Sequence, residues 1–360
     1  MTEFTEKVRA ALKGDYDADL EYIQKEADKV MKGEDPDKTK ILNELAELMY
    51  EIMPPEKKKV MTDMMYVDGK RLDEAYNEAA KLTKEKKPAE SVKITEALYN
   101  KIKAAYRETE DQKYMAFRNP FENQLYLFIY AAQSKKMPKA PFDLSRMITL
   151  HAYNLIDLGR AKEAVTVLND AIRYNPVNPD PYLEMGECFK VLQEMTSLFN
   201  VTRETMLIAA TPYALSRCYA NLGYYCVEKH DYDSALCFYY ESLIYANHPG
   251  VHFELEHLRS LTNKPLAPPT REEVIAAFEK YELVSGASNA VLGVANALAD
   301  DAKQKGDKEA ARFYLLIIYG LTRDTEVGKD IEENFGGIPK NLKDSEFENL
   351  KPASPNLDND

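Results

Sequence analysis

The chain contains 360 residues, of which 45% are hydrophobic and 30% charged, and its formal net charge is −13. This length exceeds the usual size of one compact core, so we expect either two domains or one extended array. The acidic balance argues against a general affinity for nucleic acid or anionic membranes, because clustered Lys and Arg bind phosphate groups. We therefore predict that neither nucleic acid nor a membrane is a partner.

The N-terminal segment MTEFTEKVRAALKGDYD has no apolar signal core. No run of the chain approaches the ~20 apolar residues of a membrane-spanning helix. The four cysteines form no CxxC pair and fall in predicted helices, which is typical of small core side chains in a reducing compartment. These features predict a cytoplasmic protein.

Residues 1–142 are predicted to form an N-terminal helical region with a loose register. Turn signals at Gly14, at 33–36 and at Pro54 separate its first three predicted helices. Apolar residues at helical spacing mark one face of the third helix, namely Ile41, Leu45, Leu48 and Ile52.

The segment from Phe117 to Gln133 is the most apolar part of this half. Its predicted buried face consists of Leu125, Phe128, Ile129 and Ala132. Because the segment is too short and too interrupted to span a bilayer, we predict that it belongs to the core.

Residues 145–178 carry the clearest pattern in the chain. Two amphipathic segments are separated by residues 158–160, and Pro176 follows the second segment. Ala152 and Ala164, twelve residues apart, are small enough to let the two helices approach closely. The pattern resembles the tetratricopeptide repeat (TPR), a helix-turn-helix unit of 34 residues.

The twelve-residue spacing recurs along the chain. It is found for Gly223 with Ala235, for Ala299 with Ala311 and, in the N-terminal region, for Ala79 with Ser91. The last pair leaves open whether the N-terminal region contains a degenerate repeat. Gly186 begins a further copy, whose second helix departs from the family pattern at Leu198 and Thr202.

The resemblance implies an all-α fold, a right-handed α-solenoid of TPR-like helix-turn-helix repeats with a degenerate helical N-terminal half. We expect five consecutive hairpins from 145 to about 325, with the proline-rich linker 263–269 absorbing extra residues. The predicted domains are the helical region 1–142, the TPR-like array with its capping helix 145–335, and a disordered acidic tail 336–360.

Known catalytic motifs are missing from the sequence. It contains neither a phosphate-binding glycine loop nor an HExxH motif, and it has only five histidines. The best metal candidates are His248, His252 and His257, but Pro249 and the five-residue spacing of the last two predict that they diverge. We therefore expect no enzyme activity, no cofactor and no metal.

Stacked hairpins expose a concave groove lined by the first helix of each repeat, as the resemblance implies. The first-helix positions that face away from the close-packed slots are Arg146, Thr149, Tyr153, Asp180, Glu184, Glu187, Arg217, Asn221, Tyr224, Asn296 and Asp300. Arg and Tyr are the side chains that most often anchor interfaces. We predict that five of these residues bind the partner, namely Arg146, Tyr153, Arg217, Asn221 and Tyr224.

The leading hypothesis is a non-catalytic TPR-type scaffold or adaptor that holds a peptide or helix of a protein partner in this groove. A peptide-sensing regulatory protein is the alternative, although the acidic N-terminal half shows no convincing basic helix-turn-helix. A hydrolase or metal enzyme on a helical scaffold is the third class considered. The sequence predicts no particular oligomeric state.

Overall fold

The computed structural model describes residues 2–33, 37–130, 135–263 and 265–340. Within these ranges the chain forms eighteen α-helices and one two-stranded sheet. It divides into two compact units, the first ending at Leu72 and the second beginning at Asp73. Residues 73–142, which the sequence analysis placed in an N-terminal region, therefore lie in the same unit as the predicted array.

The first unit contains four helices and a short antiparallel hairpin. The elements are α1 (Glu3–Ala10), α2 (Tyr16–Lys32), α3 (Lys38–Ile52), α4 (Pro55–Met65), β1 (Tyr66–Val67) and β2 (Lys70–Arg71). Helix α3 packs on α1 and α2. The core is formed by Val8, Ile23, Val30, Ile41, Leu45 and Leu48, so the predicted apolar face of α3 is confirmed, with Ile52 partly buried.

The turn between α1 and α2 is closed by a buried carboxylate. Asp19 accepts hydrogen bonds from the backbone amides of Lys13 and Gly14, both at 2.8 Å. Gly14 adopts a φ of +83°, a left-handed conformation that favours glycine. The turn predicted at Gly14 is therefore confirmed.

The second unit contains the remaining helices. They are α5 (Leu72–Lys84, whose first residue belongs to the first unit), α6 (Pro88–Ala105), α7 (Pro120–Tyr130), α8 (Leu144–Asp157), α9 (Ala161–Tyr174), α10 (Pro179–Val191), α11 (Met195–Met206), α12 (Pro212–Glu228), α13 (Tyr232–Tyr245), α14 (Pro249–Thr262), α15 (Arg271–Lys280), α16 (Asn289–Gln304), α17 (Lys308–Thr322) and α18 (Thr325–Asn334).

Five helix pairs are joined by the same three-residue turn: α5/α6, α8/α9, α10/α11, α12/α13 and α16/α17. The middle residue of each turn has a left-handed φ of +58° to +75°; these residues are Lys86, Gly159, Gln193, His230 and Gly306. The third residue donates its amide to the carbonyl five positions earlier at 2.8 to 3.0 Å. This hydrogen bond is the closing feature of a Schellman cap and turns the chain back on itself.

Successive hairpins stack on one another. The first helices α8, α10 and α12 pack in series, α12 also packs on α14, and the second helix α6 packs on α8. The second helices α9 and α11 pack against the first helix of the following hairpin. The predicted fold class is therefore confirmed: the chain is all-α, with a TPR-like α-solenoid.

The small slots are buried as predicted. Ala152, Ala164, Ala235 and Ala311 are fully inaccessible to solvent. A Cβ atom added to Gly223 would lie 2.5 Å from the Tyr239 ring. Tyr239, one turn after Ala235, is therefore the side chain that requires glycine at this slot.

The N-terminal pair of the same spacing also forms a hairpin contact. Ala79 and Ser91 are both buried, and Ser91 Oγ donates a hydrogen bond to the Ala79 carbonyl at 2.9 Å. The sequence left open whether the N-terminal region contains a degenerate repeat. In the structure, α5 and α6 form a hairpin with the same turn as the other pairs.

The prediction of five consecutive hairpins after residue 145 is wrong at one place. Helices α14 and α15 each pack on α13, but the segment 263–270 separates them instead of a tight turn. The physical reason is the prolines of this segment, such as Pro268 and Pro269, which cannot continue a helix or donate a capping hydrogen bond.

Helix α7 packs against α16 and buries a different face from the predicted one. Phe121, Glu122, Leu125 and Tyr126 are buried, whereas Phe128 is 68% exposed and Ile129 37% exposed. The prediction was therefore wrong for Phe128 and Ile129, and Ala132 lies outside the described residues. The helix is rotated because Glu122 accepts hydrogen bonds from Asn175 Nδ2 at 2.8 Å and from the Arg118 backbone amide at 2.7 Å.

The predicted capping helix is α18, which packs on α17. Of the segment predicted as a disordered tail, residues 341–360 lie outside the described residues. Within the part of this segment that is described, Gly337 O accepts two hydrogen bonds from Arg312, from Nε at 3.2 Å and from Nη2 at 2.9 Å.

Candidate binding groove

A cavity of about 210 Å³ lies across the first helices of successive hairpins. We call it the groove and define it by the eight residues that line it: Tyr76, Arg146, Thr149, Leu150, Tyr153, Asp180, Glu184 and Arg217. They belong to α5, α8, α10 and α12. Six of them were predicted groove positions from the sequence; Tyr76 and Leu150 were not.

Arg146 is the cation of the groove that lacks a carboxylate partner. It lies in the first turn of α8, where its backbone amide donates to the capping Asp143 side chain at 3.0 Å. Its guanidinium stands over the Tyr76 ring, 5.4 Å from the centroid. In the part of the chain that the structure describes, no carboxylate lies within ion-pair distance of this exposed guanidinium.

Arg217 has the opposite environment. Its Nη1 lies 2.8 Å from Glu184 Oε1 and its Nη2 lies 3.1 Å from Glu187 Oε1, while its side chain is only 16% exposed. Burial acts to lower the pKa of Arg217, but the two glutamates outweigh it and the net shift is upward. Arg217 is thus a neutralised, structural cation that ties α12 to α10.

Asn221, also predicted as a binding residue, does not line the groove. It is 2% exposed, and its Nδ2 lies 2.9 Å from the position that a Cβ atom on Gly186 would occupy. The missing side chain of Gly186 makes room for it. Asn221 is therefore a packing residue between α10 and α12.

Tyr224 lies farther along α12, outside the lining of the groove. The ring is half-buried, and Lys190 Nζ stands 5.4 Å from its centroid. Burial raises the pKa of the Tyr224 phenol. Of the five predicted binding residues, the structure therefore brings Arg146, Tyr153 and Arg217 together around one cavity.

Tyr76 was missed because the sequence left the repeat character of α5 open. Its signal was nevertheless available: Tyr76 lies three residues before the small slot Ala79, as the predicted groove residue Thr149 lies three before Ala152. Burial raises the pKa of the Tyr76 phenol, and the Arg146 charge partly opposes this shift.

A buried polar seam beneath the groove fixes the position of α8. His151 shares a hydrogen bond of 2.9 Å with Thr95 Oγ1 on α6 and stacks on Tyr99 with ring centroids 5.4 Å apart. One turn along, Asn154 donates to Ser91 Oγ at 3.0 Å. Burial lowers the pKa of His151 to about 4, so the imidazole is neutral at pH 7.

Two acidic residues of the groove are paired with arginines. Asp180 Oδ2 lies 3.2 Å from Arg118 Nη1, and Glu184 is held by Arg217. The groove therefore presents one guanidinium without an ion-pair partner, which stands over the Tyr76 ring, and a second tyrosine, Tyr153, in the same lining. Such a surface favours a ligand with carboxylate or carbonyl oxygens and flat apolar area.

Two of the three histidines considered as metal ligands make other contacts. His248 is the N-cap of α14, where its Nδ1 accepts a hydrogen bond from the Gly250 amide at 3.2 Å. His252 Nε2 lies 2.7 Å from Asn247 Oδ1. The described residues contain no group of three or more His, Cys, Asp or Glu side chains arranged to hold a metal.

None of the helices in the described ranges is both long enough and apolar enough to cross a membrane.

Comparison with known proteins gives a limited result. No family model and no curated protein sequence matches the chain. One solved structure with a similar course of the chain is the human IFIT1 dimer with PPP-AAAA, at 13% identity and a TM-score of 0.33, covering 88% of this chain and 69% of the other.

That comparison corrects one prediction. The exclusion of nucleic acid as a partner does not stand, because the compared helical protein is described together with PPP-AAAA. The prediction relied on the total charge, which does not determine the local charge of one surface. A chain of net charge −13 still presents, in its groove, a guanidinium without an ion-pair partner. At this identity and TM-score, the comparison removes the exclusion but assigns no ligand to this chain.

Proposed function

We propose that this protein is a non-catalytic, TPR-like scaffold that binds a polypeptide segment of a partner in the groove. The observation that carries the proposal is the position of Arg146, exposed over Tyr76 and without an internal carboxylate, in a cavity shared by four first helices.

The size and lining of the groove support a short, extended ligand. A volume of about 210 Å³ accommodates a few side chains and falls below the usual 300 to 1,000 Å³ of small-molecule pockets. Arg146 offers planar donors to a carboxylate of the partner, and Tyr76 and Tyr153 offer aromatic area. The Arg217 pair at the other end is already neutral, so the ligand gains little charge attraction there.

The helices that form the groove are held in place by hydrogen bonds and an ion pair, which lowers the entropy cost of binding. The α6/α8 contact is fixed by the hydrogen bonds of His151 and Asn154, and the α10/α12 contact by Arg217. A preformed groove loses less conformational entropy on binding than a mobile one, which leaves more of the interaction energy for affinity.

The experiment is a selection of peptides from a random library on the purified full chain, followed by titration of the best sequences. We expect acidic residues among the selected sequences, and a loss of at least about tenfold in affinity for Arg146→Ala. The matched control is Arg160→Ala, which removes a similarly exposed arginine from a hairpin turn outside the groove and should change affinity by less than about twofold.

Two outcomes contradict the proposal. One is peptide binding that is equally tight for wild type and Arg146→Ala. The other is the absence of peptide binding together with tight binding of a short oligoribonucleotide, measured in the same titration format.

A further inference from the structure

A larger cavity lies away from the groove, where residues 265–269 run between the end of α14 and the start of α15. Both helices pack on α13. Helix α14 ends before Asn263, which has a left-handed φ of +52°, and α15 begins with a capping box of Thr270 and Glu273. Pro268 and Pro269 have no amide hydrogen with which to bond this segment to the helices. The segment therefore leaves space beside α13, which we call the linker cavity.

The linker cavity has the size and the access that a ligand requires. Its volume is about 870 Å³, which falls within the roughly 300 to 1,000 Å³ usual for small-molecule sites. It is open to solvent, because Leu261 in its lining is 44% exposed and Pro265 is exposed as well. A small molecule can therefore enter without a change in the fold.

The apolar part of the lining is aliphatic. It contains Leu236 of α13, Leu261 of α14 and Leu266, together with the prolines of residues 265–269. Of the described residues in the lining, Tyr232 alone carries a phenol ring. Quaternary ammonium ligands are bound by cages of several aromatic rings, which this lining does not supply. The lining suits an alkyl chain better than an aromatic ring or a quaternary ammonium group.

Carboxylates exceed cations in the lining. Of its three carboxylates, Asp231 is already neutralised: its Oδ2 lies 2.7 Å from Lys280 Nζ and accepts a hydrogen bond from the Tyr281 hydroxyl at 2.6 Å. Within the described ranges, no lysine, arginine or histidine forms an ion pair with Asp233 or Glu273. Two negative charges of the cavity are therefore uncompensated.

These two carboxylates belong to different helices. Asp233 lies in the first turn of α13 and Glu273 in the first turn of α15. Glu273 Oε2 accepts from the Thr270 amide at 2.7 Å, a hydrogen bond that leaves its charge in place. Burial, together with Glu273, Asp233 and Asp231, raises the pKa of the Cys237 thiol in the same lining to about 11. The thiol is therefore neutral at pH 7, and the carboxylates determine the charge that a ligand meets.

We propose that the linker cavity binds aliphatic diamines and polyamines. One ammonium group pairs with Asp233 and another with Glu273, through charge-assisted hydrogen bonds. The alkyl chain between the ammonium groups lies against Leu236, Leu266 and the prolines. This site is separate from the peptide groove and does not depend on the function proposed for it.

Calorimetric titration of the full chain with linear diamines from butane-1,4-diamine to octane-1,8-diamine tests the proposal. Each diamine is compared with the monoamine of the same chain length, in 150 mM sodium chloride, where charges more than about 8 Å apart are largely screened. We expect the best diamine to bind at least about fivefold more tightly than its monoamine, because it engages both carboxylates. Equal affinities, or no saturable binding of any diamine, overturn the proposal.

Three variants separate the cavity from the general attraction of an acidic surface. Asp233→Asn and Glu273→Gln each remove one charge, and the glutamine keeps a side-chain oxygen for the capping box. Each should weaken binding of the best diamine at least about fivefold and reduce its preference over the monoamine. The matched control is Glu272→Gln, which removes an exposed carboxylate from the same turn of α15, outside the lining, and should change affinity by less than about twofold.

Melting temperatures of the three variants show that the comparison is made between folded proteins. If Glu272→Gln weakens diamine binding as much as Glu273→Gln does, the amine binds to the acidic surface in general and the proposal is overturned. The same conclusion follows if Asp233→Asn and Glu273→Gln both bind the best diamine as tightly as wild type.

Discussion

Replacement of Gly223 by alanine isolates the close approach within the α12/α13 hairpin. The added Cβ atom would lie 2.5 Å from Tyr239 Cε1, 2.6 Å from Cδ1 and 2.9 Å from Cζ. These are atoms of a rigid ring, and Tyr239 is fully buried with its hydroxyl 3.2 Å from Glu254 Oε2. One of the two helices must therefore move by about 1 Å to restore an ordinary contact of 3.5 to 4.0 Å.

The expected cost follows from two opposing effects. Overpacking of this kind destabilises by about 1 to 3 kcal/mol, whereas exchange of glycine for alanine in a helix stabilises by up to about 1 kcal/mol. We expect a net loss of about 1 to 2 kcal/mol for Gly223→Ala, and a larger loss for Gly223→Leu.

The matched control is Gly293→Ala. Gly293 also lies within a helix, but it is exposed and no atom lies within 4 Å of its added Cβ. This variant should be more stable than wild type by about 0.5 to 1 kcal/mol. The two substitutions should therefore change the free energy of unfolding in opposite directions.

The assay is urea denaturation together with hydrogen exchange resolved by segment. Because an array loses stability locally, Gly223→Ala should accelerate exchange first in α12 and α13. Replacement of Tyr239 by leucine should abolish most of the penalty of Gly223→Ala in a double-mutant cycle. If Gly223→Ala stabilises the chain as Gly293→Ala does, the assignment of the close contact is refuted.

Three further changes test other parts of the structure. The pKa of His151 is about 4 in the folded chain, against 6.5 in an ordinary environment. Between these two pH values the unfolded chain therefore binds more protons than the folded chain. The free energy of unfolding should decline as the pH falls from 6.5 towards 4, by up to about 3 kcal/mol. His151→Asn should flatten this decline in urea titrations at pH 7.5 and 4.5, while the exposed His252→Asn should not. Arg217→Met leaves Glu184 without its partner in a mostly buried site and should lower the free energy of unfolding by about 1 to 3 kcal/mol; an unchanged urea midpoint speaks against its structural role. Gly306→Ala forces a side chain into the left-handed turn at φ +71° and should cost about 1 kcal/mol, and a neutral result contradicts the turn assignment.

The hairpins could be predicted because small residues at a fixed spacing carry a strong signal. Ala152 and Ala164 identified a pair of close helices, and the same spacing found the contact between Ala79 and Ser91. The proline-rich linker 263–269 was recognised from the sequence, but α14 and α15 were still counted as one hairpin, since either helix pattern alone is compatible with a hairpin. What decided it was the inability of consecutive prolines to form the turn.

The groove could be predicted only in part. Arg146 and Tyr153 were predicted because they lie on the face of α8 opposite its small, close-packed residues, and both line the groove. Asn221 instead points from α12 towards α10, where it fills the space beside Gly186. Pairing of Arg217 with two glutamates also depends on how two helices align, which a single sequence does not specify. Rotation of a helix about its own axis was the missing quantity in both cases, as it was for Phe128 on α7.

The most direct test of the central claim is hydrogen exchange of the full chain with and without a selected acidic peptide at saturating concentration. Binding in the groove predicts slower exchange in α5, α8 and the first turns of α10, with no change in α14 and α15, and loss of this protection in Arg146→Ala. Protection confined to α14 and α15 or to residues 2–33, with the groove helices unaffected, would contradict the account.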